Sequence, residues 1–197
     1  MIELELELEL GLDEELALRI QRGDEAALEM LVRRYHSQIH AYVVRMGGEY
    51  HMASDITQEV FIKVCRHICQ YRTDLSFRPW IYTIACNTYK DHLRKAYVQK
   101  DFLGSEPEEL TADMDTPETA FMETVERRMV IKVLQQMGEI YREVLILRYY
   151  QDLKLDEIAL AVQIPVGTVK SRLSAALRQL KQLLLKEDGF IVDSVKR

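Results

Sequence analysis

Three sets of residues in this chain have the types and spacing to do chemistry. The first lies in QIPVGTVKSRLSAALR, residues 163–178. As a helix from Pro165, this run puts Val169, Leu173, Ala176, Leu177, Leu180 and Leu184 on one apolar stripe, because steps of three and four share a helix face. Thr168, Ser171, Ala175 and Arg178 face the other way, with Lys170 and Arg172 on the flanks. Small polar residues let a backbone approach a DNA groove, and the cations beside them meet phosphates, which set register without reading sequence. The second set is Asp55, Gln58, Glu59, Ile62 and Arg66, on a helix face away from Ile56, Val60 and Val64. Asp55 and Glu59 are the paired carboxylates a metal-dependent nuclease would need. No nucleophile with a base and no glycine-rich phosphate loop accompanies them. In the third set Thr83, Asn87, Lys90 and Arg94 recur at steps of four, three and four, with Tyr71, Tyr82 and Tyr89 in the same region. Cations and aromatics so arranged can hold unstacked bases and a single-strand backbone.

The cysteines add no metal chemistry. Cys65 and Cys69 stand one helical turn apart with His67 between them, and Cys86 is the third. A zinc site takes about four ligands, and no second Cys/His pair stands nearby. Three buried free thiols, no metal and no cofactor are expected.

The elements that must position these sets are helical throughout. Apolar periodicity predicts helices over 13–23, 23–46 (with Asp24 as N-cap), 52–68 and 77–97 (with Ser76 as cap). After an acidic, aperiodic stretch it predicts four more, over 119–137, 139–151, 154–162 and 165–186. The pair 154–162 and 165–186, joined by a short turn, matches a helix-turn-helix. The expected fold is therefore all-α, with two small helical domains. Its parts are an N-terminal extension over 1–12, a domain over 13–100, a linker over 101–117, a helix-turn-helix domain over 118–187 and a tail over 188–197. The IELELELEL run in the extension alternates with period two and reads as a frayed tail, an edge strand or a partner-binding arm.

A formal net charge of −6 argues against a DNA partner until it is divided along the chain. Residues 1–12 hold four acids and no base, and residues 101–126 hold nine acids and no base. Residues 13–100 carry 13 bases against 11 acids, and residues 127–197 carry 13 against eight. Both prospective domains are thus mildly basic, and charge by segment is the better guide to partners. No stretch approaches the roughly 20 apolar residues of a membrane span, and the glutamate-interrupted start is not a secretory signal. A cytoplasmic location and no membrane insertion are expected.

The motifs together resemble one family. Asp156-Glu157-Ile158-Ala159, Ile164-Pro165 and Gly167-Thr168-Val169-Lys170-Ser171-Arg172-Leu173 resemble region 4 of the extracytoplasmic-function sigma factors of the sigma-70 family, which give bacterial RNA polymerase its promoter specificity. Asp55-Ile56-Thr57-Gln58-Glu59-Val60-Phe61 is similar to region 2.2. Tyr71-Arg72, Asp74, Ser76-Phe77, Trp80-Ile81, Ile84-Ala85 and Asn87 are similar to regions 2.3 and 2.4. The resemblance covers about 13–100 and 118–186 in the family's order.

It implies a transcription factor rather than an enzyme, with these contacts. Asp55, Gln58, Glu59 and Ile62 dock on the β′ clamp of the polymerase core. Arg72, Asp74, Ser76, Thr83, Asn87, Lys90 and Arg94 meet the −10 element, the loop 71–76 capturing a base flipped from the stack. Thr168, Lys170, Ser171, Arg172, Ser174 and Arg178 enter the major groove of the −35 element. The apolar side of the C-terminal domain meets the β flap, and an anti-sigma factor covers both domains. One departure stands out, since the family often has a basic residue where this chain has Ala175. The alternative reading is a stand-alone helix-turn-helix regulator that binds operator DNA without polymerase.

Overall fold

The computed structural model describes residues 13–72, 74–103 and 130–195. Among them every regular element is helical, as expected. The elements are α1 (13–21), α2 (Glu25–Arg45), α3 (Tyr50–His67) followed by a 3₁₀ turn (Ile68–Gln70), and α4 (Phe77–Leu103). Then come α5 (130–135), α6 (Glu139–Tyr149), α7 (Leu155–Val162) and α8 (Val166–Val195). The IELELELEL run, residues 104–117 of the expected linker and residues 119–129 of the fifth expected helix lie outside the described residues. Two boundaries differ from expectation. Helix α4 continues past Tyr97 into the expected linker, since no Pro or Gly interrupts VQKDFL before Gly104. Helix α8 continues through the expected tail to Val195, Gly189 being tolerated inside a helix at a cost of about 1 kcal/mol.

The first four helices form one bundle. Asp24 caps α2, its carboxylate accepting from Ala27 N–H at 3.1 Å. Ala27, Leu31, Tyr35, Ile39, Tyr42 and Val43 then fall on one buried face. Helix α3 buries Ala53, Ile56, Thr57, Val60, Phe61 and Val64 by the same stepping, and the buried Thr57 hydroxyl donates to Ala53 O at 2.7 Å. Helix α4 contributes Phe77, Ile81, Tyr82, Ala85, Cys86 and Tyr89. Its N-terminus is capped from afar. The Phe77 N–H donates to Glu14 Oε1 of α1 at 2.7 Å, in place of the cap expected from Ser76.

The second group is built around α6, where five consecutive residues, Glu143 to Leu147, are buried. A helix can bury every direction only if it is covered on all sides. Helix α6 packs on α7 and α8 of its own group and on α2 of the first. The two apolar cores are continuous.

Polar contacts also cross from one group to the other. Gln151, only 4% exposed, donates from Nε2 to Gln38 O at 3.3 Å and accepts from the Tyr82 hydroxyl at 2.5 Å. Its backbone carbonyl accepts from Arg78 Nη2 at 2.5 Å. Arg142 Nη1 donates to Met46 O at 2.5 Å, and the Arg45 guanidinium lies 4.3 Å from the centre of the Tyr150 ring.

Candidate nucleic-acid interfaces

Helix α8 is positioned by a turn that brings it against α7. Gln163 closes α7 in the left-handed region, φ 56°, and Ile164 N–H reaches back to Ala159 O at 3.0 Å. At the other end of α7, Glu157 accepts from Lys154 N–H at 2.7 Å. This is half a capping box, because a lysine side chain has no acceptor to complete it. Ile158, Ala161 and Val162 of α7 share the core with Val169, Leu173 and Ala176 of α8. Two positions of the expected stripe leave it, since Leu177 and Leu184 are 43% and 45% exposed while Leu180 and Leu183 pack on the core. The stripe follows the 3.6-residue period, and Leu183 rather than Leu184 lies on it.

The outward face of α8 is the one expected. Lys170, Ser171, Ser174 and Arg178 are exposed, and Thr168, Arg172 and Ala175 are half-buried. Ser171 Oγ donates to Thr168 O at 3.0 Å, which ties its hydroxyl to the first turn. Gly167 has open space where a Cβ would stand, so nothing inside the fold requires a glycine there.

The α4 strip is split between solvent and the second domain. Asn87 and Arg94 are exposed, the latter 3.4 Å from Asp91. Thr83 Oγ1 donates to Pro79 O at 2.7 Å and lies 3.5 Å from Leu160 O on α7. Lys90 Nζ lies 2.8 Å from Glu143 Oε1 of α6. This contact is Coulombic rather than an aligned hydrogen bond, for that oxygen has no hydrogen-bond partner. The three tyrosines expected beside the strip do not serve as stacking platforms. Tyr71, Tyr82 and Tyr89 are all buried, because their rings complete the bundle core and their hydroxyls bond internally to Leu75 O, Gln151 and Met46 O.

In the loop before α4, Arg72 and Asp74 are exposed and pair with each other through two bonds, at 3.0 and 2.6 Å. The pairing lowers the Asp74 carboxyl pKa and raises that of Arg72. Ser76 is half-buried and Leu75 is exposed. The loop is anchored from α1, where Gln21 Nε2 donates to Ile68 O at 2.7 Å and Tyr71 O at 2.9 Å. Tyr71 packs on Phe77 and Trp80, ring centres 5.3 and 5.2 Å away. Neither Gln21 nor Glu14 stood out in the sequence, since each acts on a partner more than 45 residues away.

On α3, Asp55, Gln58 and Ile62 are exposed, and Ile62 is an apolar side chain left 49% open. Glu59 is turned inward. It bonds Lys63 at 2.9 Å and His92 at 2.6 Å, and hydrogen bonds from these two hold its carboxyl down to about 2. Of the thiols, only Cys86 is buried, and burial pushes its pKa up. Cys65 and Cys69 are exposed, contrary to expectation, because they lie off the face that buries Val64 and Ile68. Among the described residues, no three His, Cys, Asp or Glu side chains gather as a metal site would require. No helix there is long and apolar enough to cross a membrane.

Residues 31–97 match the family model for Sigma-70 region 2, and residues 127–180 match that for Sigma-70 region 4. The RNA polymerase sigma-H factor of Pseudomonas aeruginosa is 34% identical over 87% of this chain and 93% of its own length. The ECF RNA polymerase sigma factor SigW of Bacillus subtilis is 31% identical over 84% of this chain and 93% of its own. The chain belongs to the extracytoplasmic-function sigma factors. Two solved structures share the fold at 20% identity. CnrH, in complex with the cytosolic domain of CnrY, has a TM-score of 0.68 and covers 88% of this chain and 97% of its own. The sigma factor RpoE of Bartonella quintana, in complex with the anti-sigma factor NepR, has a TM-score of 0.66 and covers 79% and 95%. The α2–α4 bundle is thus region 2, and α7 and α8 are the helix-turn-helix of region 4. The protein is an RNA polymerase sigma factor.

Proposed function

We propose that this chain directs core polymerase to promoters by reading two DNA elements with two domains, residues 13–100 and 118–187, joined by 101–117. The observation that carries the reading is the outward row Lys170, Ser171, Ser174 and Arg178 on a helix whose opposite face is locked into a helix-turn-helix core. Polar side chains on a rigid helix can enter a major groove, and the cations meet the phosphates alongside it. Thr168 and Arg172 flank that row at the −35 element. At the −10 element, Arg72, Asp74 and Ser76 border the base-capturing loop, and Thr83, Asn87, Lys90 and Arg94 track the strand. The β′ clamp takes Asp55, Gln58 and Ile62 directly. Glu59 shapes that face through Lys63 and His92, and the apolar side of region 4 meets the β flap.

The chain supplies recognition and melting, while nucleotidyl transfer stays in the polymerase, which places the protein in the cytoplasm. With Glu59 committed to Lys63 and His92, a nuclease would lack its second metal-binding carboxylate. An anti-sigma factor is the regulator this reading calls for, as the Bartonella quintana sigma factor was solved with one. Runoff transcription on host promoters with and without core tests the function. A promoter-specific transcript is expected only when core and this chain are combined. Its absence with core contradicts the reading, and tight sequence-specific duplex binding by the free chain would favour an operator-binding regulator instead.

A further inference from the structure

The face of α3 assigned to the polymerase clamp does not stop at Ile62. At 3.6 residues per turn, Asp55, Gln58, Ile62 and Cys65 fall within about 80° of one another around the helix axis. The 3₁₀ turn that continues α3 carries the same side on to Cys69. All five residues are exposed, while Ile56, Val60, Val64 and Ile68 are buried on the side that faces the bundle. The face is roughly 20 Å long, and its far end carries two thiols.

That composition suits a surface that a partner covers. A free cysteine behaves as a small apolar side chain and is among the residue types most often buried. Here two exposed cysteines follow an isoleucine that is 49% open. The half of the face formed by Ile62, Cys65 and Cys69 is therefore more apolar than the half formed by Asp55 and Gln58. The third thiol gives the contrast. Cys86 is buried in the bundle, and burial pushes its pKa up, away from the thiolate that reacts.

We propose that Cys65 and Cys69 are a modification site controlling the docking of this chain on core polymerase, where a low-molecular-weight disulfide thiolates them and the adduct blocks the clamp face. This rests on the sigma-factor reading and adds regulation that acts on the chain itself. In each transfer the cysteine thiolate attacks one sulfur of the disulfide. A bond forms between the cysteine Sγ and that sulfur, and the reagent's own S–S bond breaks. The departing thiolate takes up the proton that the cysteine released, so the cysteine is oxidised and half of the reagent is reduced to a thiol. An excess of small thiol reverses the step by the same exchange. Cys65 and Ile62 stand three residues apart on the helix, with Cβ atoms about 5–6 Å from each other. An adduct on Cys65 therefore stands beside Ile62 and keeps a partner surface from covering it.

The test uses the full chain, oxidised glutathione as the probe, and a variant carrying Cys65→Ser and Cys69→Ser together. Peptide mapping of the native chain is expected to find adducts on Cys65 and Cys69 and none on Cys86. Affinity for labelled core is expected to fall by roughly tenfold or more on modification and to return with dithiothreitol. In the double variant, oxidised glutathione is expected to leave whatever affinity that variant has unchanged. Prior binding to core is expected to slow adduct formation at both cysteines. Full affinity of a chain carrying both adducts would overturn the proposal, and so would equal rates of modification with and without core. An equal loss in the treated double variant would also overturn it, as would loss of helicity on modification, since the adduct would then act by unfolding. If the reduced native chain does not bind core at all, the sigma-factor reading fails, and the mapping still decides whether these two thiols are the reactive pair.

Discussion

Glu59 shows how one residue serves structure and face together. Its carboxylate joins α3 to α4 by accepting from Lys63 at 2.9 Å and lying 2.6 Å from His92, while Lys63 also donates to Thr88 at 3.1 Å. Hydrogen bonds from Lys63 and His92 lower its pKa from an ordinary 4.5 to about 2. A carboxylate whose pKa falls on folding contributes stability above its unfolded value, and that contribution is lost as pH drops through the folded one. Glu59→Gln is therefore expected to cost on the order of 1 kcal/mol at pH 7, after allowance for solvent screening. Urea unfolding should show the gap closing between pH 4.5 and pH 2, and a gap independent of pH would contradict the assignment. The spacing of Asp55, Gln58, Glu59 and Ile62 placed them on one face correctly, because helical period alone decides that. It could not place the Glu59 carboxylate, which depends on His92, 33 residues away. The tyrosines failed for a related reason. Tyr71, Tyr82 and Tyr89 are polar enough for a DNA face and large enough for a core, and only the packing of α1, α2 and α6 around them settles which.

Among the elements, α7 and α8 are joined by a turn of three residues, 163–165. Gln163 adopts φ 56°, which costs a residue with a side chain about 1–2 kcal/mol and glycine little. Its side chain is exposed and no hydrogen bond of it appears among the described residues. Gln163→Gly is expected to stabilise the chain by about 0.5–1 kcal/mol, the relief of strain exceeding the added freedom of the unfolded chain. The thermal midpoint should rise by a few degrees, and a fall would show that Gln163 is held by something other than its backbone. The helix-turn-helix itself was legible because apolar residues recur at three and four on both sides of a short turn. The left-handed residue was not, since glutamine gives no signal for it where glycine or asparagine would. Nor was the continuation of α4 to Leu103, where dense charge resembled a linker while the backbone met nothing that breaks a helix.

At the scale of the whole molecule, an acidic chain reads DNA because its acids are segregated. Nine of them stand without a base in residues 101–126, and both domains are mildly basic. The net positive charge of each domain is small, so non-specific affinity for the phosphate backbone stays low until polymerase positions the pair. The packing of α7 on α4 was not legible, because Gln151 and Glu143 look like ordinary helix-surface residues and only their partners across the interface give them a role. The central claim is that one chain reads two separated elements, and footprinting of promoter DNA by core with this chain tests it most directly. Two protected patches about 25 base pairs apart are expected. With Lys170→Ala and Arg178→Ala together, the upstream patch should vanish while the downstream one stays. A single patch for the wild type, or an upstream patch unchanged in the double variant, would contradict the account.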